Sequence, residues 1–586
     1  MENKKMNRRA FFVLIFLTLL IFGIMFRLAW IQIFTTRTFS YKKVDLISRA
    51  VEQRREKIIL DTGRGTIYDR NGTPLLGKEV TGLAIFPTAH AQLKKAGEIE
   101  KLTDILGVSK EALNEKLKKM KHADFWRDEK GKILPLDDAK IKKVTELNIV
   151  GLMALPVVER YEQDQIARQV IGYIGYKENT EKTTEKVGIA GLEESFQPFL
   201  NSIGEKSVSF FVDGRGRPLY GLNVKKQEQQ DAFYPLSIKT TLDASMQKIA
   251  EDAFNASGIQ EGAGVILDVS TRKVLAMVSR PEFTPENEET RKDALLLQKG
   301  LENHALNRMT PGSVFKIVVA AAALEEGIVK PQDHFLCKGK YGKYGFTCWK
   351  EGGHGDLTFE EAFAQSCNIT FAEVAKKVGP KKIIEYARRL GVTETLGWEK
   401  DPFQKIGAFQ QFSREQKGQI YTSQSPQDDE GVLIQTAIGQ RDVQITPLAA
   451  ASMAAIIAGD GKAREVRGVD SIQYKNGSNF YTFEDRDIPD AALKPETLKV
   501  LRKFMGGVVE KGTAQSLRSL PWKVAGKTGT AQIGEANYNL WFVGYAPVEK
   551  PRYAVAVVAQ NVANSNSKPV LKVTGDIIQG LSKMVK

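Results

Sequence analysis

The pattern of apolar and polar positions changes several times along the chain, and its longest apolar run comes first. Residues 10–34 are apolar except for three side chains, Thr18, Arg27 and Gln32. At 1.5 Å per residue a helix over this run would span roughly 37 Å, enough to cross a bilayer with some tilt. No small-residue cleavage signal follows, so we expect an uncleaved transmembrane anchor.

Basic residues before this run set its expected orientation. They are Lys4, Lys5, Arg8 and Arg9. Positive charge favours the cytoplasmic side of a membrane. We therefore expect residues 1–9 to form a cytoplasmic tail and the remaining chain, about 550 residues, to lie outside the membrane.

Between residues 35 and 235 the pattern predicts a solvated module of helices and short strands. Asn71-Gly72 is a strong hairpin-turn signal between two short strand-like runs. Lys/Glu-rich stretches at residues 94–121 and 136–148 predict surface helices, and residues 150–158 predict a strand. Nothing in this region is typical of a catalytic centre, so we interpret it as a non-catalytic spacer or docking module.

From residue 236 onward, strand-like and helical patterns alternate. A polar run at residues 224–232 marks the boundary. A strand-like hairpin over residues 263–278 comes early in this part, three strand-like runs over residues 522–560 come late, and helical patterns lie between them. This order predicts an α/β layer fold in which strands from the two ends of this part complete one antiparallel sheet, with helices layered on it.

One helix in this part carries a lysine where an apolar residue is expected. Residues 313–324 form an almost wholly apolar, helix-forming run that begins after Pro311-Gly312. Such a helix is usually buried, yet Lys316 lies in its first turn with no acidic residue before Glu325. A buried lysine tends to lose its proton. The Ser313 hydroxyl would lie about one turn away, within reach of that base.

Composition and charge limit the classes of function. The 586 residues are 42% hydrophobic and 26% charged, which fits a globular protein of roughly two to four domains. A formal net charge of +14 suits contact with anionic lipid or acidic wall polymers. We find no zinc-finger spacing, aromatic RNA-binding signature or arginine cluster, so nucleic acid is not an expected partner.

Three cysteines are few for an exported protein of this length, so disulfides are not expected to hold the fold. Cys337 and Cys348 could pair across a short hairpin, and this pairing stays open. A zinc site with His334 or His354 fits no standard spacing and is not expected. Cys367 is interpreted as a small buried packing residue, and His354 as a loop residue.

Three polar clusters interrupt apolar or structured surroundings: Ser313-x-x-Lys316, Ser366-x-Asn368 and Lys527-Thr528-Gly529-Thr530. The first pattern is weak alone, because four other matches begin at Ser40, Ser245, Ser270 and Ser565. The second breaks a helical region, and the third lies in a predicted strand whose glycines allow a ligand near the backbone. Each alone is more often a cap, a turn or a strand edge. Together they indicate a catalytic cleft.

In this order, the three clusters resemble the active-site set of penicillin-binding proteins and serine β-lactamases. Residues 310–313, 437–440 and 527–532 resemble the transpeptidase domain of that family. The module nearer the N-terminus adds residues 64–72 and 191–193, which are similar to pedestal motifs of class B, monofunctional, high-molecular-weight penicillin-binding proteins. The resemblance covers most of the chain, including the expected anchor.

The resemblance implies a domain organisation and a set of partners. Residues 35–235 would be an elongated α+β pedestal or dimerisation-type domain, and residues 236–586 a serine β-lactamase-like transpeptidase domain with an antiparallel sheet between helical layers. The substrate would be peptidoglycan stem peptides ending in D-Ala-D-Ala, and β-lactams would acylate the same serine. We find no glycosyltransferase motif in residues 35–235, so a membrane glycosyltransferase is an expected partner. No metal or organic cofactor is expected.

The resemblance also assigns catalytic roles. Ser313 would attack the carbonyl of the penultimate D-Ala, and Lys316, neutral because it is buried near Lys527, would take the serine proton. Ser366 would relay a proton to the departing amine, and Asn368 would hydrogen-bond the peptide of the acyl-enzyme.

The strand cluster would bind the end of the substrate. Lys527 and the hydroxyls of Thr528 and Thr530, beside Gly529, would hold the terminal carboxylate. Backbone N–H groups of Ser313 and Thr530 would form an oxyanion hole, typically worth ~3 kcal/mol per donor.

Three alternatives stay open: a D,D-carboxypeptidase, a β-lactam-hydrolysing or low-affinity resistance protein, and a non-catalytic scaffold of a wall-synthesis complex. A carboxypeptidase uses the same three motifs with a different acceptor, and the pedestal-like module disfavours it. Hydrolysis of β-lactams needs a water-activating base, which we do not locate. The presence of all the motif residues disfavours the scaffold.

Overall fold

The computed structural model describes the chain except for residues 1, 40–44, 47, 50–54, 94–96, 121, 129–130, 162–163, 179–183, 202–203, 214–224, 228–232, 283–298, 343–344, 401–408 and 585–586. The chain divides into two compact units. The first consists of Met1–Gly63, Glu79–Glu159 and Gly204–Gln230, and the second of Arg64–Lys78, Arg160–Ile203 and Asp231–Lys586. This spatial division differs from a linear boundary at residue 235, because two earlier segments cluster with the later part.

The first unit begins with a long apolar helix, Glu2–Ile33. Within it, Ala10–Ile33 has 24 residues and is long and apolar enough to cross a membrane, by length and composition. Its large apolar side chains, such as Phe16 and Phe26, are exposed. No other helix in the described part of the chain meets this criterion. The helix coincides with the predicted anchor.

The rest of the first unit contains two three-stranded sheets and several short helices. In spatial order, one sheet is Arg55–Asp61, Lys206–Phe211 and Lys225–Gln227, and the other is Asp124–Phe125, Lys78–Ile85 and Leu152–Glu159. The helices are the 3-10 turn Pro87–Ala89, His90–Leu93, Glu98–Leu106, Lys110–Lys119 and Asp138–Glu146. Side chains of Ser109 and Asp137 cap the last two. The predicted surface helices and strand are confirmed. Residues 224 and 228–232 of the polar run lie outside the described residues.

The core of the second unit is a five-stranded antiparallel sheet. Its strands are Gly262–Asp268 (β1), Val274–Arg280 (β2), Ala525–Ile533 (β3), Asn537–Ala546 (β4) and Tyr553–Val562 (β5). Their spatial order is β2-β1-β5-β4-β3, so the early hairpin and the late strands form one sheet, as predicted. Every residue of β2 is buried, which shows that both faces of the sheet are covered.

Helices cover this sheet. Ala244–Asn255 and Lys568–Met584 pack against each other and against the sheet. Pro447–Ala458, whose residues are all buried, packs on β1, β4 and β5. A helix that is apolar on every side is stable in water only when it is buried among other elements. The predicted α/β architecture, an antiparallel sheet between helical layers, is confirmed.

Shorter elements complete the second unit. Its other helices are Arg168–Ile171, Gly191–Ser195, Gln197–Leu200, Lys316–Glu325, Phe359–Ala364, Asn368–Val378, Pro380–Arg389, Glu430–Ala437 and Pro495–Glu510, with 3-10 turns at Gly312–Phe315 and Gln515–Leu517. Ile67–Tyr68, Ser237–Thr240, Val469–Gln473 and Asn479–Thr482 form a four-stranded sheet in that order. Two-stranded pairs are Ile174–Glu178 with Thr184–Gly188, His334–Cys337 with Gly355–Thr358, Lys340–Tyr341 with Phe346–Thr347, Glu399–Lys400 with Phe409–Gln410, and Lys462–Arg464 with Asp487–Ala492.

A buried ion-pair network joins the two motifs that precede the sheet in sequence. Glu193 is fully buried. Its carboxylate accepts hydrogen bonds from Arg64 Nε at 2.7 Å, from Arg160 Nε at 2.6 Å and from Tyr161 Oη at 3.2 Å. Two guanidinium groups within the second unit therefore share the Glu193 carboxylate as their counter-charge.

We expect Glu193→Ala to lower the free energy of unfolding by about 3–5 kcal/mol, because the buried Arg64 and the partly buried Arg160 lose their counter-charge. Urea unfolding of the purified protein measures this change. The matched control is Glu194→Ala. Glu194 pairs with Arg414, which is 57% exposed, so its loss should cost at most about 1 kcal/mol. Equal losses in the two variants would contradict a supporting role for the network.

Candidate active site

A tight turn, rather than the first turn of an α-helix, presents Ser313. Gly312–Phe315 is a 3-10 turn, and the α-helix Lys316–Glu325 follows directly. Gly312 has a φ of 56°, and a Cβ there would lie 2.4 Å from the carbonyl oxygen of Thr530. The close approach of this turn to β3 therefore requires glycine. It leaves Ser313 partly exposed, three residues before Lys316.

The predicted burial of Lys316 is confirmed, since its side chain is fully buried. Its Nζ donates hydrogen bonds to Ser366 O at 2.8 Å, to Ser366 Oγ at 3.2 Å and to Asn368 Oδ1 at 2.8 Å. Burial lowers the pKa of Lys316 to about 7, against a smaller opposing effect of the nearby thiols of Cys367 and Cys348. This amine can therefore exchange a proton near neutral pH.

A second buried lysine shares the same hydroxyl. Lys527 lies on β3, and its Nζ donates to Ser366 Oγ at 3.0 Å and to Thr528 O at 3.0 Å. Burial, and then the charge of Lys316, lower the pKa of Lys527 well below its ordinary value. Because like charges around one hydroxyl repel, protonation of either amine disfavours protonation of the other.

The local backbone explains why Ser366 can lie between the two amines. Ser366 has a φ of 55°, in the left-handed region that side chains rarely adopt. It interrupts the helical region between Phe359–Ala364 and Asn368–Val378, as the sequence predicts. The break turns the Ser366 hydroxyl toward both lysines and leaves Asn368 at the start of the next helix.

Gly529 allows β3 to approach the turn before Ser313. A Cβ at Gly529 would lie 2.4 Å from Pro311 O and 2.9 Å from a methyl group of Val314. Thr528 lies before it on the strand, and its Oγ1 is 2.5 Å from Thr513 Oγ1. The close packing of β3 against this turn therefore requires a residue without a side chain at Gly529.

An open cleft of about 600 Å³ joins these groups. Its lining residues are Ser313, Trp349, Ser366, Asn368, Ile438, Gln440, Thr513, Thr528, Thr530, Gln532, Tyr538, Ser565 and Ser567. Lys316 and Lys527 are buried beneath it, and Gly529 lies between two of the lining threonines. The structure therefore brings together every side chain that the three motifs predicted.

Several lining residues were not predicted as site residues. Trp349 is 60% exposed, and its Nε1 donates to Gln365 O at 3.1 Å. Neither Trp349 nor Thr513 has a sequence signal of its own, because each reaches the cleft through the tertiary fold. Another Ser-x-x-Lys match, Ser245 with Lys248, lies on a helix with both residues exposed.

The structure answers the question of cysteine pairing that the sequence left open. Cys337, Cys348 and Cys367 are all buried free thiols, so no Cys337–Cys348 disulfide is present. Cys367 lies between Ser366 and Asn368 in the sequence. Its neighbours in space are not only apolar, because its Sγ, the other two Sγ atoms and a His354 ring nitrogen form one cluster.

Known proteins share this organisation. Residues 262–579 match the family model of the penicillin-binding protein transpeptidase domain, and residues 59–232 match that of the penicillin-binding protein dimerisation domain. Stage V sporulation protein D of Bacillus subtilis is 27% identical over 584 residues, covering 96% of this chain and 82% of that protein. Peptidoglycan D,D-transpeptidase MrdA of Acinetobacter baumannii is 28% identical over 621 residues, covering 97% of this chain and 86% of that protein.

A solved structure shares the fold. That structure is described as showing structural coordination of polymerization and crosslinking by a peptidoglycan synthase complex, and it superposes with a TM-score of 0.67. The two sequences are 24% identical, and the match covers 98% of each chain. The transpeptidase match alone extends over more than half of the chain, and the dimerisation match precedes it. Together with the three motifs around one cleft, these matches show that the chain belongs to the class B penicillin-binding proteins.

Proposed function

We propose that this chain is a membrane-anchored serine D,D-transpeptidase that crosslinks peptidoglycan stem peptides. The observation that carries the proposal is the Ser366 hydroxyl, which lies between two buried lysine amines in a cleft that Ser313 also lines. Such an arrangement can move a proton from a nucleophile to a leaving group. The name of the Acinetobacter baumannii relative, a peptidoglycan D,D-transpeptidase, supports the choice of substrate.

In the acylation step, Ser313 Oγ forms a bond with the carbonyl carbon of the penultimate D-Ala while Lys316 Nζ takes the hydroxyl proton. The C–N bond to the terminal D-Ala then breaks, and Ser366 passes the proton to the departing amine. Backbone N–H groups of Ser313 and Thr530 stabilise the oxyanion, at ~3 kcal/mol per donor. The turn and strand that carry these donors touch at Gly312, which supports this assignment.

The cleft binds the donor peptide by its carboxylate. The hydroxyls of Thr528 and Thr530 face the cleft and contact the carboxylate directly. Lys527 is fully buried below them, so it acts on the carboxylate from beneath the cleft rather than by open contact. Asn368 donates from its amide to the peptide of the acyl-enzyme, while Gly529 keeps the strand close to the nucleophile.

The second step completes the crosslink. An amino group of another stem peptide attacks the acyl carbon, the bond to Ser313 Oγ breaks, and the serine regains its proton. A β-lactam resembles D-Ala-D-Ala, acylates Ser313 by opening its ring and leaves slowly, because its leaving group stays attached and obstructs the acceptor.

The N-terminal helix supports a location of this chemistry outside the cytoplasm. Ala10–Ile33 is long enough to span a bilayer, and the basic residues before it favour a cytoplasmic N-terminus. Glycan polymerisation then requires a separate membrane glycosyltransferase. The origin of one solved neighbour in a peptidoglycan synthase complex supports such a partner.

Product analysis tests the proposal. Intact cells that express the protein should be labelled by a membrane-impermeant fluorescent penicillin. The purified protein, given lipid II and a separate glycosyltransferase, should release D-Ala and form crosslinked muropeptide dimers. D-Ala release without dimers would instead identify a carboxypeptidase, and rapid loss of the label would identify a β-lactam hydrolase. No labelling at all would leave the scaffold as the better description.

Acylation is expected to speed up as the pH rises and to level off above about pH 7. The free amine of Lys316, whose pKa burial lowers to about 7, accepts the Ser313 proton, and each unit below that value leaves about tenfold less free base. The titratable groups nearest this amine are Lys527, Cys348, Cys367 and His354. Rates of fluorescent penicillin acylation between about pH 5 and about pH 9 measure the profile. A rate that falls with rising pH would contradict Lys316 as the base.

A further inference from the structure

Four potential metal ligands meet beside the cleft. They are Cys337, Cys348, His354 and Cys367. Their Sγ and ring nitrogen atoms all lie within 4.8 Å of one another. His354 Nδ1 lies 3.6 Å from Cys337 Sγ and 3.4 Å from Cys348 Sγ. A disulfide would use only two of the three thiols and would leave the imidazole unused.

These distances fit one tetrahedral ion. Zinc binds cysteine sulfur at about 2.3 Å and histidine nitrogen at about 2.0–2.1 Å, which places sulfur and nitrogen about 3.5 Å apart around a tetrahedral centre. We propose that Cys337, Cys348, His354 and Cys367 hold one structural zinc ion in a closed Cys₃His site. Zinc binding displaces the three thiol protons to solvent and involves no change of oxidation state. The proposal replaces the expectation from the sequence that no metal takes part.

The backbone around the four ligands brings the chain segments that carry them close together. Gly353 has a φ of 85°, and a Cβ there would lie 2.2 Å from Cys337 O. The backbone N–H of Cys348 donates to Gly339 O at 2.9 Å, and Cys337 pairs with Gly355 across a two-stranded ladder. Left-handed glycines thus let the segment that carries His354 cross directly over the segment that carries Cys337.

The zinc site would also hold the segment that carries Ser366. Cys367 directly follows Ser366 and precedes Asn368 in the chain. Across the cluster, Asn368 Nδ2 donates to Thr347 O at 3.3 Å, and Trp349 Nε1 donates to the carbonyl of the residue before Ser366. One ion bound to Cys348 and Cys367 would therefore fix the strained Ser366 backbone between the two lysines. This second claim rests on the proposed function, whereas the metal site itself does not.

Metal content of the full-length protein, purified in detergent from zinc-replete cells without chelators, tests the site. We expect about one zinc ion per chain by elemental analysis. Cobalt(II) added to the metal-free protein should give the absorption bands of tetrahedral thiolate coordination. Cys337→Ser and His354→Ala should weaken zinc binding by more than the ~10–100-fold that loss of an outer-shell contact costs.

The matched control is His334→Ala. His334 is exposed, lies three residues from Cys337 on the same strand and pairs with Asp356, so its loss should leave the zinc content unchanged. Wild-type protein with neither zinc nor a cobalt spectrum would overturn the site. Detection of a disulfide between two of the three cysteines in protein from intact cells would also overturn it.

Penicillin acylation of the same samples separates the two claims. Removal of zinc should slow acylation by at least about tenfold, with recovery when zinc is restored. If zinc binds but its removal leaves the acylation rate unchanged, the zinc site is supported, and the claim that the metal positions Ser366 is wrong. A wild-type protein that holds zinc but takes up no penicillin would contradict the proposed function alone.

Discussion

Ser313→Ala is expected to take up no fluorescent penicillin and to form no crosslinked dimers. The acyl bond forms at the Ser313 oxygen, and alanine offers no atom to replace it. Loss of a serine nucleophile in a comparable hydrolase lowers the rate by about 10⁶-fold. Gel fluorescence and the intact mass of the protein after incubation with penicillin measure the adduct directly.

The control for this variant comes from another Ser-x-x-Lys match. Ser245 is exposed on the helix Ala244–Asn255, three residues before the exposed Lys248. Ser245→Ala should therefore be acylated at the wild-type rate, and both variants should unfold at the wild-type temperature. A Ser313→Ala protein that still gains the mass of one penicillin would show that another residue is the nucleophile.

The sequence predicted the components of the site better than their local geometry. Chain order and motif chemistry were enough to select Ser313, Ser366 and Lys527, and the structure places all three around one cleft. The 3-10 turn before Lys316 could not be predicted. Its backbone is set by contact with β3, more than two hundred residues later, and propensity in a short window carries no information about that contact.

The cysteine cluster escaped prediction for a related reason. Cys337, Cys348, His354 and Cys367 have no standard metal-ligand spacing, because a two-stranded hairpin and a break between helices bring them together. The division of the chain into two spatial units could not be predicted from the sequence either. Arg64 and Glu193 lie 129 residues apart and meet in one buried ion pair within the second unit. Periodicity identifies elements, whereas such pairings depend on the complete fold.

Lys316→Met is expected to slow acylation by about 10²–10⁴-fold, the usual contribution of a general base. Methionine keeps an unbranched apolar side chain of similar length in the buried position and removes only the amine. The variant loses the proton acceptor for Ser313 and one of the two donors to Ser366 Oγ, while Lys527 keeps the other. The residual rate should also lose the rise toward about pH 7 that the free amine provides.

Stability separates this loss of chemistry from a loss of packing. Lys316→Met removes the desolvation penalty of a fully buried amine, but Ser366 O and Asn368 Oδ1 lose a donor. Because these two effects oppose each other, the unfolding temperature should change little while acylation falls by orders of magnitude. Lys248→Ala, which removes the exposed lysine of the other match, should change neither quantity. Wild-type acylation by a folded Lys316→Met protein would mean that another group, with Lys527 the nearest, takes the serine proton.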